Sequence, residues 1–225
     1  MKLYVQAIFN SLDGEVNGFQ GSGQLCTFIR LKGCNLTCKY CDTNYAQKVK
    51  DDAETSIDDI LSWPDMLEKV TITGGEPLLQ KGTEVLIYKL LQKGVKVTVE
   101  TNGTFPIFNT PEDYNLRFVV DYKLPSSGME DKMKSEVFIE LRSCDVVKFV
   151  IADFADYYIA RGLATNKEWS KAKRVFSPAV VDQHDYTGWP AILAQMMIQD
   201  AKILGDVQYS LQVHKVLWPD AKVER

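Results

Sequence analysis

Leu25-Cys-Thr-Phe-Ile-Arg-Leu31-Lys-Gly-Cys34-Asn-Leu-Thr-Cys38-Lys-Tyr-Cys41 runs a strand-like segment straight into three thiols. The first half is rich in the aromatic and branched residues that suit a pleated, half-buried surface. The second half places Cys34, Cys38 and Cys41 at C-x3-C-x2-C spacing, and thiolates are soft ligands for zinc or an iron–sulfur cluster. Structural zinc closes a tetrahedron with four ligands. No fourth stands nearby, since His184 and His214 are remote and Cys144 is isolated. Three thiolates on a four-iron cluster leave one iron open, which turns an electron carrier into a reaction site. The bland alternative, three unrelated buried thiols, requires a spacing that chance seldom produces. An odd total of five cysteines fits a disulfide scaffold poorly. Cys26 and Cys144 fall in strand-like runs and are expected as small core residues.

The same pattern, a short apolar run followed by a polar turn, recurs along the chain. Runs at 3–9, 25–31, 69–73, 95–100, 117–122, 146–151, 174–176 and 208–213 read as strands. Ser56 is placed to cap a helix over 57–61. Residues 83–92 carry Val85, Leu86, Leu90 and Leu91 on one face, with Gly94 placed to end that helix. A third helix is predicted over 189–204, beginning near Pro190 and repeating Ile192, Leu193, Met196, Met197, Ile203 and Leu204. The polar stretches 48–56 and 126–134 read as surface loops. Strands alternating with helices predict an α/β fold with a parallel sheet. No repeat or linker divides the chain, so one domain over 1–225 is expected.

In such folds ligands gather at the carboxyl ends of strands. Gly74-Gly75-Glu76-Pro77, Glu100-Thr101-Asn102-Gly103 and Asp121-Tyr122-Lys123 all sit there, as does the cysteine loop. A net charge of −4, from 26 basic against 30 acidic residues, argues against a nucleic-acid surface, which is normally basic. No apolar run approaches the roughly 20 residues of a membrane helix. The start, Met1-Lys2-Leu3-Tyr4-Val5-Gln6, turns polar too early for a secretory signal. A cytoplasmic enzyme or binding domain is expected.

Taken with the cysteine triplet, Gly74-Gly75-Glu76-Pro77 resembles the methionine-binding turn of radical S-adenosylmethionine enzymes. Within that superfamily the chain resembles 7-carboxy-7-deazaguanine synthases. The resemblance is carried by four stretches: Ile8-Phe9-Asn10-Ser11-Leu12-Asp13-Gly14-Glu15, the strand and loop from Phe28 to Thr43, Thr73 to Leu78 together with Val99 to Thr104, and Ser210-Leu211-Gln212-Val213-His214-Lys215. It implies an incomplete TIM-like barrel of about six parallel strands. It also implies a [4Fe-4S] cluster whose open iron holds S-adenosylmethionine, whose reductive cleavage releases a 5′-deoxyadenosyl radical. The implied reaction is a Mg²⁺-dependent ring contraction of 6-carboxy-5,6,7,8-tetrahydropterin to 7-carboxy-7-deazaguanine with loss of ammonia, feeding queuosine and other 7-deazapurines. An external one-electron reductant of flavodoxin type and a homodimer are implied as well.

Carried over by position, the resemblance assigns Cys34, Cys38 and Cys41 to the cluster and Thr43 to Mg²⁺. It assigns Tyr40, Asp42, Gly74, Gly75, Glu76, Lys123, Ser177 and Pro178 to S-adenosylmethionine. It assigns Leu12, Asp13, Gly14, Arg30, Thr73, Glu100, Gln212 and His214 to the pterin. A hard cation that keeps waters and uses substrate oxygens needs few protein ligands, so a lone threonine hydroxyl is sufficient. Arg30 offers a fork of donors for a carboxylate or a ring carbonyl. Two departures stand out. Asp13 replaces the family's Gln, and the tail beyond His214, including Pro219, exceeds the family's ending. Two other readings stay open: an activase of a glycyl-radical enzyme, with the same cysteine spacing, and a non-catalytic metal-binding module.

Overall fold

The computed structural model describes residues 1–19, 22–49, 53–108, 114–166, 168–180 and 188–218. Pro219 and His184 lie outside the described residues, as does part of the 48–56 loop. The strands, in chain order, are β1 (Lys2–Leu3), β2 (Val5–Asp13), β3 (Gln24–Leu31), β4 (Thr55–Ser56), β5 (Lys69–Gly74), β6 (Lys96–Thr101), β7 (Leu116–Tyr122), β8 (Val146–Ile151), β9 (Lys173–Pro178) and β10 (Gln208–Tyr209). The helices are α1 (Ile57–Leu61), α2 (Gly82–Gln92), α3 (Ser135–Ile139), α4 (Phe154–Thr165), α5 (Trp189–Gln199), α6 (Ala201–Leu204) and α7 (Val213–Leu217).

Eight strands form one sheet in the order β10-β9-β8-β7-β6-β5-β3-β2. Every pairing from β3 through β10 is parallel, and β2 alone runs antiparallel, against β3. The body is therefore six full-length parallel strands, with short β10 at one edge and β2 at the other. The edge strands are not paired with each other, and the sheet is a partial, TIM-like barrel. Among the described residues no helix is long and apolar enough to cross a membrane.

Side chains alternate across a strand, and this alternation divides the sheet into two unlike faces. Outward, Ile29, Leu31, Val70, Ile72, Val97, Val99, Phe118, Val120, Val147, Phe149 and Phe176 are fully buried against Leu86 and Leu90 of α2, Tyr157 and Ala160 of α4, and Leu193 of α5. Each such large apolar side chain contributes about 1.5–3 kcal/mol by leaving water. Inward, the intervening positions include Arg30, Thr71, Thr73, Thr98, Glu100, Asp121 and Lys148.

Helix ends follow local chemistry. Ser56 caps α1 by accepting from the Asp59 N–H at 3.1 Å, and Gly94 takes φ +77° just after α2. The predicted helix over 189–204 is interrupted at Asp200, dividing it into α5 and α6. Asp200 turns toward α4, accepting from Tyr157 at 2.8 Å and pairing with Arg161 at 2.9 Å. Leu193, Met197 and Leu204 face the core, but Ile192 and Ile203 are exposed. The predicted strand over 208–213 stops at Tyr209 and Val213 opens α7 instead, because the Ser210 hydroxyl and the Val213 N–H bind residues 14–16. Cys26 is fully buried as expected, whereas Cys144 is only half-buried, in the turn entering β8.

Candidate active site

The loop after β3 is held by backbone hydrogen bonds before any side chain is considered. Gly33 N donates to Ala46 O at 2.8 Å and Cys34 N to Gln47 O at 2.9 Å. From the other side, Gly75 N donates to Leu31 O at 3.0 Å and Glu76 N to Gly33 O at 2.7 Å. The two glycines of the Gly74-Gly75 turn are required by this contact. A Cβ on Gly74 would stand 2.1 Å from Leu31 O, and one on Gly75 would stand 2.1 Å from Gly33 O. The turn is thus pressed onto the base of the cysteine loop.

Glu76, expected at S-adenosylmethionine, is placed behind the cleft lining, where it is fully buried. Its carboxylate accepts from Thr101 Oγ1 at 2.7 Å, Asn102 N at 2.7 Å and Leu78 N at 2.9 Å. Burial pushes its carboxyl up, while these donors work in the opposite direction. Glu76 therefore staples the β5 turn to the end of β6. Ser177 and Pro178 are also set back from the cleft, as the buried last residues of β9, and Ala179 and Val180 reach it in their place. The Ser177 hydroxyl is buried with no hydrogen-bond partner among the described residues.

The remaining predicted residues meet in one cleft of about 290 Å³. Cys34, Cys38 and Cys41 line its upper wall, each half-buried. Among the described residues no group of His, Cys, Asp or Glu side chains is gathered so as to hold a single metal ion. Burial pushes the Cys34 and Cys38 thiols up, so a metal is needed to hold them as thiolates. Thr43 lines the same wall, its hydroxyl 3.7 Å from Cys41 Sγ.

Asn102 and its neighbours were missed in the sequence. Asn102 Nδ2 donates to Asn35 Oδ1 at 3.0 Å and lies 3.8 Å from Cys34 Sγ. Its Oδ1 accepts from Thr104 Oγ1 at 2.6 Å, and Thr104 in turn accepts from Asn35 at 2.9 Å. These three residues tie the cysteine loop to the strand end after β6. The signal was present in Glu100-Thr101-Asn102-Gly103, but only tertiary pairing reveals which loop it serves.

The cleft floor is charged. Lys123 Nζ binds Asp121 Oδ2 at 2.9 Å, and Lys148 Nζ lies 3.0 Å from Glu15 Oε2 and 3.5 Å from Asp121 Oδ1. Burial opposes the Asp121 charge, but Lys123 and Lys148 outweigh it and hold the carboxyl below its usual range. Glu100 accepts from Thr73 Oγ1 at 2.8 Å. Burial pushes its carboxyl up to about 7, against the pull of Lys148. Phe9 and Phe28 stack at 5.3 Å between ring centroids, with the Arg30 guanidinium 6.0 Å from the Phe9 ring. Tyr40 donates to Val150 O at 3.4 Å, and burial raises its phenol.

The open side of the sheet is crossed by residues 14–18 and bordered by α7. Val16 N donates to Ser210 Oγ at 2.9 Å, Val213 N to Gly14 O at 3.5 Å, and Gln212 Nε2 to Glu15 Oε1 at 3.2 Å. Lys215 reaches Asp42 at 3.2 Å. Leu12, Gly14, Gln212 and His214 all line the cleft. Burial lowers the His214 imidazole despite Glu15 and Asp42 nearby.

A curled parallel sheet with a three-thiol loop at one strand end defines a radical S-adenosylmethionine enzyme, and the family model described as the radical SAM superfamily matches residues 28–117. The fold is similar to the crystal structure of QueE from Escherichia coli, with TM-score 0.71 and 22% identity over 94% of both chains. It is also similar to Streptococcus suis SuiB bound to S-adenosylmethionine, with TM-score 0.57 and 12% identity over 80% of this chain and 48% of that one. Among curated proteins, the 7-carboxy-7-deazaguanine synthase of Clostridium acetobutylicum is 39% identical over 216 residues, 93% of each chain. That of Koribacter versatilis is 34% identical over 241 residues, covering 98% of this chain and 99% of that one. The chain belongs to the 7-carboxy-7-deazaguanine synthase family. Its superfamily implies a [4Fe-4S] cluster and S-adenosylmethionine as cofactors.

Proposed function

We propose that this chain is a carbon–nitrogen lyase that converts 6-carboxy-5,6,7,8-tetrahydropterin to 7-carboxy-7-deazaguanine and ammonia. Substrate and products differ by ammonia alone, so the conversion needs no net oxidant. The observation that carries this reading is the single cleft uniting the three thiols, Thr43 and a charged, aromatic-edged floor, in a chain 39% identical to a named synthase. A cavity of about 290 Å³ suits a small molecule, whereas an activase of a protein substrate needs a partner-sized mouth. When bound, the cluster and S-adenosylmethionine supply a carbon radical that removes one substrate hydrogen.

The chain's own residues bind, orient and exclude water. Cys34, Cys38 and Cys41 hold the cluster. Tyr40, Asp42, Gly74, Gly75 and Lys123 form the S-adenosylmethionine side, with Ala179 and Val180 facing it. Glu76 acts behind that wall by fixing the turn. Thr43 offers its hydroxyl to Mg²⁺ beside the substrate carboxylate. Arg30, Thr73 and Glu100 address the pterin from the sheet, while Leu12, Gly14, Gln212 and His214 address it from the opposite side. Phe9 and Phe28 give a planar ring an apolar surface. A flavodoxin-like carrier delivers the electron, and the working form is a homodimer.

The test is anaerobic turnover of reconstituted protein with reductant, S-adenosylmethionine, Mg²⁺ and carboxytetrahydropterin, read by mass spectrometry. The expected result is 7-carboxy-7-deazaguanine and ammonia in equal amounts. S-adenosylmethionine cleavage without that product would refute the assignment.

A further inference from the structure

Lys69 opens β5 on its inner face, two residues before Thr71 and four before Thr73, with 6% of its surface exposed. A cation at that depth is strongly unfavourable unless paired. Its partner is Asp13, itself 2% exposed, with Oδ2 at 2.5 Å from Lys69 Nζ. The same oxygen accepts from Asn17 Nδ2 at 2.9 Å and Thr71 Oγ1 at 3.4 Å. A carboxylate has no proton to donate, and here one oxygen serves three protein donors. Asp13 is therefore the anchor of its segment, beside Leu12, Gly14 and Glu15 in the cleft lining.

The position matters because Asp13 is where β2 ends and residues 14–18 begin to cross the open side of the sheet. Gly14 meets α7, Glu15 meets Lys148 and Gln212, and Val16 meets Ser210. An error in the direction of departure at Asp13 is carried into each of those contacts. In this chain the charge of Asp13 is matched by that of Lys69.

We propose that Lys69 is a positioning residue for the pterin substrate, acting through its ion pair with Asp13 to set the course of residues 12–15. This rests on the proposed function for the identity of the ligand. Its step is geometric and involves no bond change in the pair.

The test compares the reconstituted wild-type enzyme with Lys69→Met, Asp13→Asn and the double variant. Lys69→Met leaves a buried carboxylate unpaired, a strongly destabilised arrangement, and is expected to raise KM for carboxytetrahydropterin about tenfold or more. KM for S-adenosylmethionine and iron content stay at wild-type values. The double variant removes the uncompensated buried charge, leaves the residue 13 oxygen to accept from Asn17 and Thr71, and returns KM to within about threefold of wild type. An unchanged substrate KM in Lys69→Met, an equal rise in KM for S-adenosylmethionine, or no rescue in the double variant would each overturn the proposal. Should wild-type protein make no product, the proposed function fails by itself. The pair is then tested by thermal unfolding, where rescue in the double variant supports it and additive losses overturn it.

Discussion

The two faces of the sheet are built from the same strands and obey opposite rules. In β8, Val147 and Phe149 point outward into the apolar core, while Lys148 between them points inward to Glu15 and Asp121. In β6, Val97 and Val99 are core residues and Glu100 faces the cleft. The outer face needs volume and shape, which many residues supply. The inner face needs particular charges at particular heights, and Asp13 with Lys69 and Asp121 with Lys148 are matched between strands. Stability therefore resides mainly on one side and chemistry on the other, so substitutions on the two faces are expected to separate in their readouts.

The largest effect is expected from Cys38→Ala on the inner side. Iron content collapses and product formation falls to background, while far-ultraviolet circular dichroism is retained. Full cluster retention in this variant would remove Cys38 from the ligand set. Next comes Phe149→Ala on the outer side, expected to cost about 3–5 kcal/mol in denaturant unfolding. Its turnover per folded, iron-loaded molecule remains near wild type, and a specific loss of turnover would dissolve the division between faces.

Glu100 predicts a smaller, pH-dependent effect. Its carboxyl is raised from 4.5 to about 7 in the folded protein, while the unfolded chain ionises near the ordinary value. Between those pH values the native state binds the extra proton, so stability falls as pH rises. Glu100→Gln removes that slope. The variant gains on wild type from about pH 4.5 to 7, by at most roughly 3 kcal/mol, and the difference then levels off. A difference independent of pH in urea unfolding would contradict this placement of Glu100. The smallest effect is expected for Thr43→Ala, which raises the Mg²⁺ concentration for half-maximal turnover and leaves iron content unchanged. Loss of iron would make Thr43 a structural part of the cysteine loop.

Much of the outer face was legible because a strand's apolar character is a local property. The runs at 25–31, 69–73 and 146–151 correspond closely to β3, β5 and β8. The thiol triplet was legible for the same reason, as its spacing is contained in one loop. What escaped depends on partners far along the chain. Glu76 sits in a ligand-binding motif yet points away from the cleft, toward Thr101 and Asn102. Lys148 looked like one polar residue in an apolar strand, and only Glu15, 133 residues away, reveals its use. Val213 reads as strand by composition, but contacts with residues 14–16 and the turn at Gln212 start a helix there. Asp13 meets its buried partner only in the fold, in Lys69, 56 residues along the chain.

Under the proposed function, Cys34, Cys38 and Cys41 on the loop after β3 hold a cluster with one iron left open for S-adenosylmethionine. Electron paramagnetic resonance of the anaerobically reduced, reconstituted protein tests it most directly. A reduced [4Fe-4S] signal whose g-values change on adding S-adenosylmethionine is the predicted result. A spectrum unmoved by S-adenosylmethionine, or a protein that retains stoichiometric zinc and no iron, would contradict it.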